Sequence, residues 1–569
     1  MIFANIMNIR WHEKNILCVI IIYMRKFKFK SVVALANIKL SVKSAAIVLA
    51  SSTLISALLG LFRDRLLNSY YLGTYPTGID AYTAAFTIPD FMFFILTSGA
   101  LAVSFIPVFN QRLASGNKKS AWELSSSLIN LLAILTLISS VLIMIFADPL
   151  IRYVVSPGLD ESGMVLAINM TRVIAMNPFL FSIATVITSI QQAVGRFVFY
   201  AFAPAIYNIG IIIGITWFTG GINLFGIQIF EGGIMGVALG VILGAIMQLI
   251  VSLIGLFGLG MDYEFKIYWR NQGFRSILKL LPARSLDQGI DYINGIVNTN
   301  LSSRMGVGAV RSFNQASALH QMPVNLIGVA ISTAFFPKLT EELGNGDKKE
   351  FNNTFRQALR TITWISLPVS IIAFFGRGYV TSFISNIGNN DSNGTIASIL
   401  GTLCIAIFAR SIFHIASRGF YAYQDTKTPF VVSIFAIGLT IAMSVWFYHL
   451  GWGVDGLGMS QSIGAIVEII ILLYILQKRS RGELLDKAFW RAIFRMIFAT
   501  IVTGCVAFSM TKFIPLMVTD TSLVITIPKF LLITAISGTS YLLASYFLNL
   551  KEALPIFQYF KKILFRNIK

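Results

Sequence analysis

The chain has 569 residues and a formal net charge of +20, and 56% of its residues are hydrophobic whereas only 12% are charged. A soluble globular domain carries about twice that share of charged residues, so the composition nearly rules out a soluble enzyme. The apolar residues form long unbroken runs instead of the short alternating segments of a transmembrane β-barrel, so we expect membrane-spanning helices.

The segment before residue 40 does not have the pattern of a span. Its apolar run at 16–23 is too short to cross a bilayer, and it is followed by Arg25, Lys26, Lys28 and Lys30. No small-residue cleavage site follows the run, so we expect a basic cytoplasmic segment over 1–43 and not a signal peptide. Met24 is an alternative start.

Apolar runs separated by polar breaks predict an all-α polytopic membrane protein with about 14 transmembrane helices. They centre on residues 44–62, 81–107, 125–147, 164–190, 199–219, 233–259, 276–300, 313–337, 358–376, 395–417, 429–449, 456–477, 490–513 and 524–548. An even number places both termini on one side. Lys and Arg are concentrated in both tails and in the loops after even-numbered helices, which predicts that these face the cytoplasm.

The sequence repeats itself at offsets of 230 and 220 residues. LASGNKK at 113–119 recurs as LGNGDKK at 343–349, and GVALGVILGAIMQ from Gly236 resembles GLGMSQSIGAIVE from Gly456. Six-helix halves of equal topology predict two parallel lobes around a central cavity. We expect an N-lobe at 44–260, a C-lobe at 261–480, and two further helices with a basic tail at 481–569. A chance match between apolar sequences is the alternative.

The seventh predicted helix carries a polar face. It comprises Arg284, Asp287, Gln288, Asp291, Asn294 and Asn298. The spacing places all six on one side of an α-helix, and charge at membrane depth is costly, so we expect this side to line a hydrated cavity. Asp287 and Asp291 would serve a coupling cation, and Arg284 an anionic group. An internal Arg284–Asp287 ion pair is the alternative.

A second charged cluster, 63–65, ends the first predicted helix, and Asp80 follows at the start of the next. By residue pattern alone, such charges are those of side chains that extend to the membrane interface. Prolines inside the predicted second and eighth helices, at Pro89, Pro107 and Pro323, predict kinks.

No pattern in the sequence indicates an enzyme, a metal site or a nucleic-acid partner. The three cysteines and four histidines lack ligand spacing, and no phosphate-binding or nucleophile motif occurs. The basic residues are dispersed through short loops. We therefore expect no cofactor beyond a coupling Na⁺ or H⁺, with ion gradients or membrane potential as the energy source, and a monomer.

Three segments carry a resemblance. They are GLFRDRLLNSYYLG with DAYTAAFTIPD at 60–90, GRFVFYAFAPAIYN at 195–208, and RGFYAYQDTKTP at 418–429. In this order they resemble the MurJ/MviN family of bacterial lipid II flippases, in the multidrug/oligosaccharidyl-lipid/polysaccharide exporter superfamily. The resemblance runs from about residue 44 to about residue 550.

The resemblance implies export of a lipid-linked peptidoglycan precursor, an undecaprenyl-pyrophosphate glycan, across the bacterial inner membrane by alternating access. It implies that Arg63, Asp64 and Asp80 are functional charges, and that the last two helices hold the lipid tail. A pyrophosphate needs cationic partners, for which arginine is suited. We interpret the motif residues Arg196, Asp425, Lys427 and Pro429 as structural.

The chain also departs from the family pattern. Family charges are replaced at Ala57, at 90–94, at Ser98 and at Ser317–Ala318. Either Arg63, Arg284 and Arg311 bind the anion instead, or the substrate is another lipid-linked oligosaccharide. A cation-coupled drug antiporter of the same superfamily is also compatible with the polar face, but we would expect it to have about twelve spans. A membrane scaffold without transport would not need that face.

Overall fold

A computed structural model describes residues 37, 42–98, 105–224, 227–385, 390–517, 519–520, 522–555 and 557–558. These residues form nineteen α-helices and one short hairpin. The helices are α1 Val42–Tyr71, α2 Pro76–Ala85, α3 Thr87–Phe93, α4 Ile106–Ala114, α5 Lys118–Pro149, α6 Glu161–Ile174, α7 Asn177–Ala193, α8 Val198–Thr216, α9 Met235–Ile254, α10 Gln272–Ser303, α11 Ala309–Val324, α12 Ala330–Gly344, α13 Lys348–Phe375, α14 Arg377–Ser382, α15 Asn390–Ala422, α16 Lys427–His449, α17 Gly453–Arg479, α18 Lys487–Phe513 and α19 Leu523–Phe547. The hairpin pairs β1 (Ile222–Leu224) with β2 (Ile227–Phe230) in antiparallel fashion.

Thirteen helical segments in this part of the chain are long and apolar enough to cross a membrane. The prediction of an all-α polytopic membrane protein is therefore confirmed. The second segment begins at Pro76 and not at residue 81, and residues 99–104 of the predicted span lie outside the described residues. The predicted seventh span is a continuous helix, α10, but it is not among the thirteen because its polar face lowers its mean hydropathy.

Prolines coincide with changes of helix type. Pro149 ends α5, and a π-helical segment follows at Leu150–Val155. Pro323 lies near the end of α11, and a second π-helical segment follows at Asn325–Val329. Proline removes a backbone N–H and crowds the preceding turn, and a π-turn accommodates such a disturbance. The expected irregularity at Pro323 is therefore present as a widened turn.

The described chain divides into two compact units. The first comprises Met1–Gly60, Pro89–Met144 and Val173–Gln288, and the second comprises Leu61–Ile88, Ile145–Arg172 and Gly289–Lys569. In the first unit, Phe105, Phe109 and Trp122 centre a buried aromatic core, with successive ring centroids 5.2 and 5.6 Å apart. In the second, Phe351 and Phe355 stack in a larger core. The lobe boundaries expected from the sequence stay a prediction.

The repeated hydrophilic loop forms the same turn in both copies. Gly116 and Gly346 have φ angles of +76° and +77°. Asn117 N donates to Arg112 O at 3.1 Å, and Asp347 N donates to Glu342 O at 2.9 Å. The side chains of Asn117 and Asp347 then accept from the N–H groups of Ser120 and Glu350, each at 3.0 Å. Identical caps at equivalent positions support an internal repeat.

A second pair of turns extends the correspondence. Gly195 has a φ angle of +79° two residues before Phe197, and Gln424 has a φ angle of +59° two residues before Thr426. Each turn is closed by backbone bonds, with Arg196 N donating to Gln191 O and Asp425 N to Phe420 O. The sequences of these two loops differ, so residue identity alone does not reveal the match.

Glycines bring α8 and α9 into close contact in the first unit. A Cβ atom at Gly210 would lie 2.2 Å from Gly244 Cα, and one at Gly240 would lie 2.5 Å from Gly214 Cα. Small residues at such spacing allow two helix backbones to approach in a membrane, where packing replaces the hydrophobic effect as the driving force.

We therefore expect Gly240→Val to lower the stability of the purified protein by about 1–3 kcal/mol, because the new side chain meets backbone that must move. Gly438→Val in α16 is the matched control, since no atom lies within 4 Å of its Cβ position. Thermal melting in detergent measures both. Equal melting temperatures for the two variants would contradict the close contact.

Candidate functional site

Asp64 centres a cluster of charged side chains in the second unit. Its Oδ1 atom accepts hydrogen bonds from Arg63 Nη2 at 3.1 Å and Nε at 3.3 Å. The same oxygen accepts from Arg311 Nη2 at 3.2 Å. Two guanidinium groups therefore share one carboxylate, and the cluster retains one positive charge.

Asn68 joins this cluster to the backbone beyond α14. Its Oδ1 accepts from Arg311 Nε at 3.0 Å, and its Nδ2 donates to the carbonyl of Ile384 at 2.7 Å. One turn earlier, the Arg65 guanidinium donates to the carbonyl of Ser382. These contacts bind one face of α1 to the segment 382–384, and they fix the orientation of Arg311.

Asp80 occupies the N-terminus of α11. Its Oδ2 accepts from Gly308 N at 2.6 Å and its Oδ1 from Arg311 N at 2.7 Å, and the side chain is buried. Gly308, the N-cap residue, supplies no side-chain cap of its own. A carboxylate satisfies the free N–H groups and opposes the positive end of the helix dipole. Asp80 therefore holds α11 in place beside Asp64.

Exposure separates the roles of the two arginines. The Arg63 side chain is 24% exposed, whereas that of Arg311 is 4% exposed. Arg63 is therefore the member of the pair that can meet a ligand. Arg311, buried and bonded to Asp64 and Asn68, is placed to position the other charges.

The polar face of α10 is described only in part. The helix backbone is continuous, but the side chains of Arg284, Asp287 and Asp291 lie outside the described residues. Further along the same face, Asn294 and Asn298 are both buried, and Asn298 Nδ2 donates to Asn294 Oδ1 at 3.2 Å. Their burial agrees with a face turned away from lipid.

The motif residues interpreted as structural lie at helix connections. Arg196 is buried in the first unit, where it donates to the carbonyls of Phe257 at 2.8 Å and Gly258 at 3.3 Å. Lys427 is the first residue of α16 and is exposed, and Pro429 two residues later is buried.

Asp425 caps α16 and forms an ion pair. Its carboxylate accepts from Thr428 N at 3.0 Å and from Arg479 Nη2 at 2.6 Å. Thr426, the N-cap position, makes no side-chain cap. Partial burial alone would raise the pKa of Asp425, but the bonds from Thr428 and Arg479 together lower the pKa below its ordinary value of 3.8.

One charged pair within the spans, Arg410 with Glu468, was not among the residues predicted from the sequence. Arg410 of α15 lies 3.9 Å from Glu468 of α17, whose side chain is 5% exposed. Ser433 Oγ of α16 donates to Glu468 Oε1 at 2.7 Å. A lone glutamate in the apolar run GAIVEIIILL was the available signal, because ionisable residues at membrane depth are functional candidates.

Comparison with known proteins gives a family match. The model of the family described as lipid II flippase MurJ matches residues 68–528. The probable lipid II flippase MurJ of Buchnera aphidicola subsp. Acyrthosiphon pisum is 27% identical over 464 residues, covering 80% of this chain and 88% of the relative. The lipid II flippase MurJ of Burkholderia cenocepacia is 27% identical over 444 residues, covering 76% and 84%.

Solved structures share the fold. A lipid II flippase MurJ in an inward closed conformation superposes with a TM-score of 0.68 at 21% identity, covering 92% of this chain and 99% of that one. An inward-facing multidrug resistance MATE family transporter of the MOP superfamily gives 0.63 at 19% identity, covering 78% and 99%. At these identities the likeness concerns the fold alone.

The geometry of Asp425 predicts a structural effect. Asp425→Asn should lower stability by about 1 kcal/mol at pH 7, because it removes the ion pair with Arg479. A carboxylate with a lowered pKa stabilises the fold above the unfolded value of 3.8, so the deficit should shrink as the pH falls below 3.8. Melting temperatures measured from pH 7 to pH 3 test this expectation.

Asp347→Asn is the matched control, since Asp347 caps α13 through Glu350 N and forms no ion pair among the described residues. Transport per folded molecule should be unchanged in Asp425→Asn. Lost transport at normal stability would show that Asp425 is not structural.

Proposed function

The chain belongs to the family of the lipid II flippase MurJ, and from this we propose that it moves lipid II from the inner to the outer leaflet of the bacterial cytoplasmic membrane for cell-wall synthesis. Transport proceeds by alternating access, and the two sequence repeats within one chain let a monomer supply both lobes. Ion gradients or the membrane potential supply the energy, through Na⁺ or H⁺.

The Asp64 cluster is the observation that best supports an anionic substrate. Two arginines against one aspartate leave a positive charge within the candidate span Ile47–Tyr71 and not at its end, where the sequence pattern had put it, and Arg63 is partly exposed. A pyrophosphate that leaves water needs such a partner, because a charge-assisted hydrogen bond replaces part of its lost hydration. Arginine stays charged and can bind phosphate through two donors.

We propose a role for each of the candidate residues. Arg63 and Arg284 bind the pyrophosphate, and Arg311 with Asp64 positions Arg63. Asp80 holds the N-terminus of α11 against the cluster. Asp287 and Asp291, on the polar face of α10, are the cation-coupling carboxylates. The last two helices, α18 and α19, receive the lipid tail.

A flippase for another lipid-linked oligosaccharide is the second candidate. The replacements at Ser98 and Ser317–Ala318 favour it, because they remove charges that the family pattern carries. A drug antiporter agrees less well with the structure, because α18 and α19 are candidate spans beyond the twelve expected of such a protein.

Restoration of growth in a bacterium depleted of its own lipid II flippase tests the proposal, with externally accessible lipid II as the readout. Arg63→Gln and Arg284→Gln should each reduce accessible lipid II about ten- to a hundredfold at normal membrane abundance, since loss of a charge-assisted hydrogen bond costs about 1.5–3 kcal/mol. Asp291→Asn should change the dependence on the ion gradient more than substrate binding.

Arg63→Lys, which keeps the charge, should retain more transport than Arg63→Gln. Arg152→Gln is a further control, because Arg152 pairs only with the exposed Glu161 and Asp148 among the described residues. Normal transport in both arginine-to-glutamine variants would contradict anion binding by Arg63 and Arg284. A wild-type chain that restores no accessible lipid II would favour another head group.

We also propose that both termini and the loop 110–119 face the cytoplasm, because the basic residues are concentrated there. Ser115, which follows α4, and Ser162, in the first turn of α6, are both exposed, and this orientation puts them on opposite sides of the membrane. A membrane-impermeant thiol reagent applied to intact cells should modify Ser162→Cys and leave Ser115→Cys unmodified. The reverse pattern would invert the orientation.

A further inference from the structure

The first turns of α18 carry an exposed face of alternating cations and aromatic rings, which we call the basic-aromatic face. Its members recur at helical spacing and are all exposed: Lys487, Arg491, Arg495, Trp490, Phe494 and Phe498. The exposed fractions of the three rings are 49%, 67% and 57%. Residues three and four apart share one side of a helix, so the six form a continuous surface.

The opposite face of α18 packs inside the second unit. Ala492, Met496 and Ala499 are buried in one cluster with Trp364 and Tyr541. Phe489 is buried in the larger core that contains Phe351 and Phe355. The helix is thus held by one side, and the basic-aromatic face is not needed to hold it.

The three cations have no partner in the described part of the chain. None of Lys487, Arg491 and Arg495 makes a hydrogen bond or ion pair there. The nearest acid in sequence, Asp486, is engaged elsewhere, because it caps Phe489 N at 2.7 Å and pairs with Arg356 at 2.9 Å.

The position of these cations opposes helix stability. They lie in the first nine residues of α18, where the helix dipole disfavours positive charge, and successive members at i,i+4 repel one another. Lys478 in the last turn of α17 and Arg481 in the connection that follows already supply positive charge before α18 begins. The cations on this face are therefore not needed to set the orientation of α18 in the membrane.

The surface between these side chains is a groove. It is wide open, has a volume of about 580 Å³, and is also lined by Leu548, the residue that follows α19. Lys487 and Arg495 are about 12 Å apart along the helix axis, so the face extends over the first turns of a candidate membrane span. Cations stand beside aromatic rings along its whole length.

We infer that the basic-aromatic face binds the phosphate head group of an anionic bilayer phospholipid. Arg491 and Arg495 donate to the phosphate oxygens, and the rings of Trp490 and Phe494 pack against the glycerol and the upper acyl chains. Charge complementarity argues for this occupant, since three cations without a protein partner face the leaflet in which α18 begins. The inference does not depend on lipid II as the transported substrate.

Native mass spectrometry of the purified full chain tests the inference, with dioleoylphosphatidylglycerol as the anionic probe and dioleoylphosphatidylcholine as the comparison. In the double variant Arg491→Gln/Arg495→Gln, the apparent Kd for phosphatidylglycerol should rise at least about tenfold, and that for phosphatidylcholine should not change. Arg491→Lys/Arg495→Lys should stay closer to wild type. The melting temperature should not fall, because the altered side chains have no internal partner.

The matched control is Lys478→Gln/Arg481→Gln, which removes the same charge from the end of α17 and the connection to α18. Equal phosphatidylglycerol binding in the two double-glutamine variants would overturn the inference. A third arm uses undecaprenyl pyrophosphate, whose binding should be retained in Arg491→Gln/Arg495→Gln. Loss of undecaprenyl pyrophosphate with phosphatidylglycerol binding intact would assign the face to the transported lipid and would also overturn the inference.

Discussion

Burial of charge at membrane depth is the constraint on which the second unit depends. Asp64 is the only carboxylate paired with Arg311 in the described chain, and Arg311 is 4% exposed. Removing one partner of a buried ion pair costs about 3–5 kcal/mol, because the remaining charge has no compensation. The backbone of α11 depends on a second buried carboxylate, that of Asp80. Two aspartates thus hold one helix, by its side chain and by its N-terminus.

Buried cations that are bonded to protein acceptors and exposed cations without an acceptor in the described residues have different roles in this chain. Arg311 and Arg196 are buried and donate to protein acceptors, so their charge is used to hold segments together. Lys487, Arg491 and Arg495 are exposed and have no acceptor in the described residues, so their charge is available to a ligand. Arg63 combines both conditions, because it is bonded to Asp64 yet partly exposed.

The helices were predictable because a helix that crosses the hydrocarbon core needs about 20 predominantly apolar residues, and such runs are visible in the sequence. The contacts of the Asp64 cluster were not. From the residue pattern alone, 63–65 is an interfacial cluster. The pattern does not show that Arg311 donates to Asn68, because the two residues are 243 positions apart in the sequence. Glu468 alone was a visible candidate in its apolar run, but nothing in the sequence pairs it with Arg410, which lies in a different run.

The turns at Gly195 and Gln424 share one backbone conformation although their residues differ. Both adopt the left-handed region, although this is routine for glycine and costs a residue with a side chain about 1–2 kcal/mol. If the two halves descend from one duplicated segment, the left-handed turn has been kept although the residue that adopts it differs between the copies. The second copy carries the sequence FYAYQDTKTP, and its turn is closed by the same type of backbone hydrogen bond as the turn of the first copy.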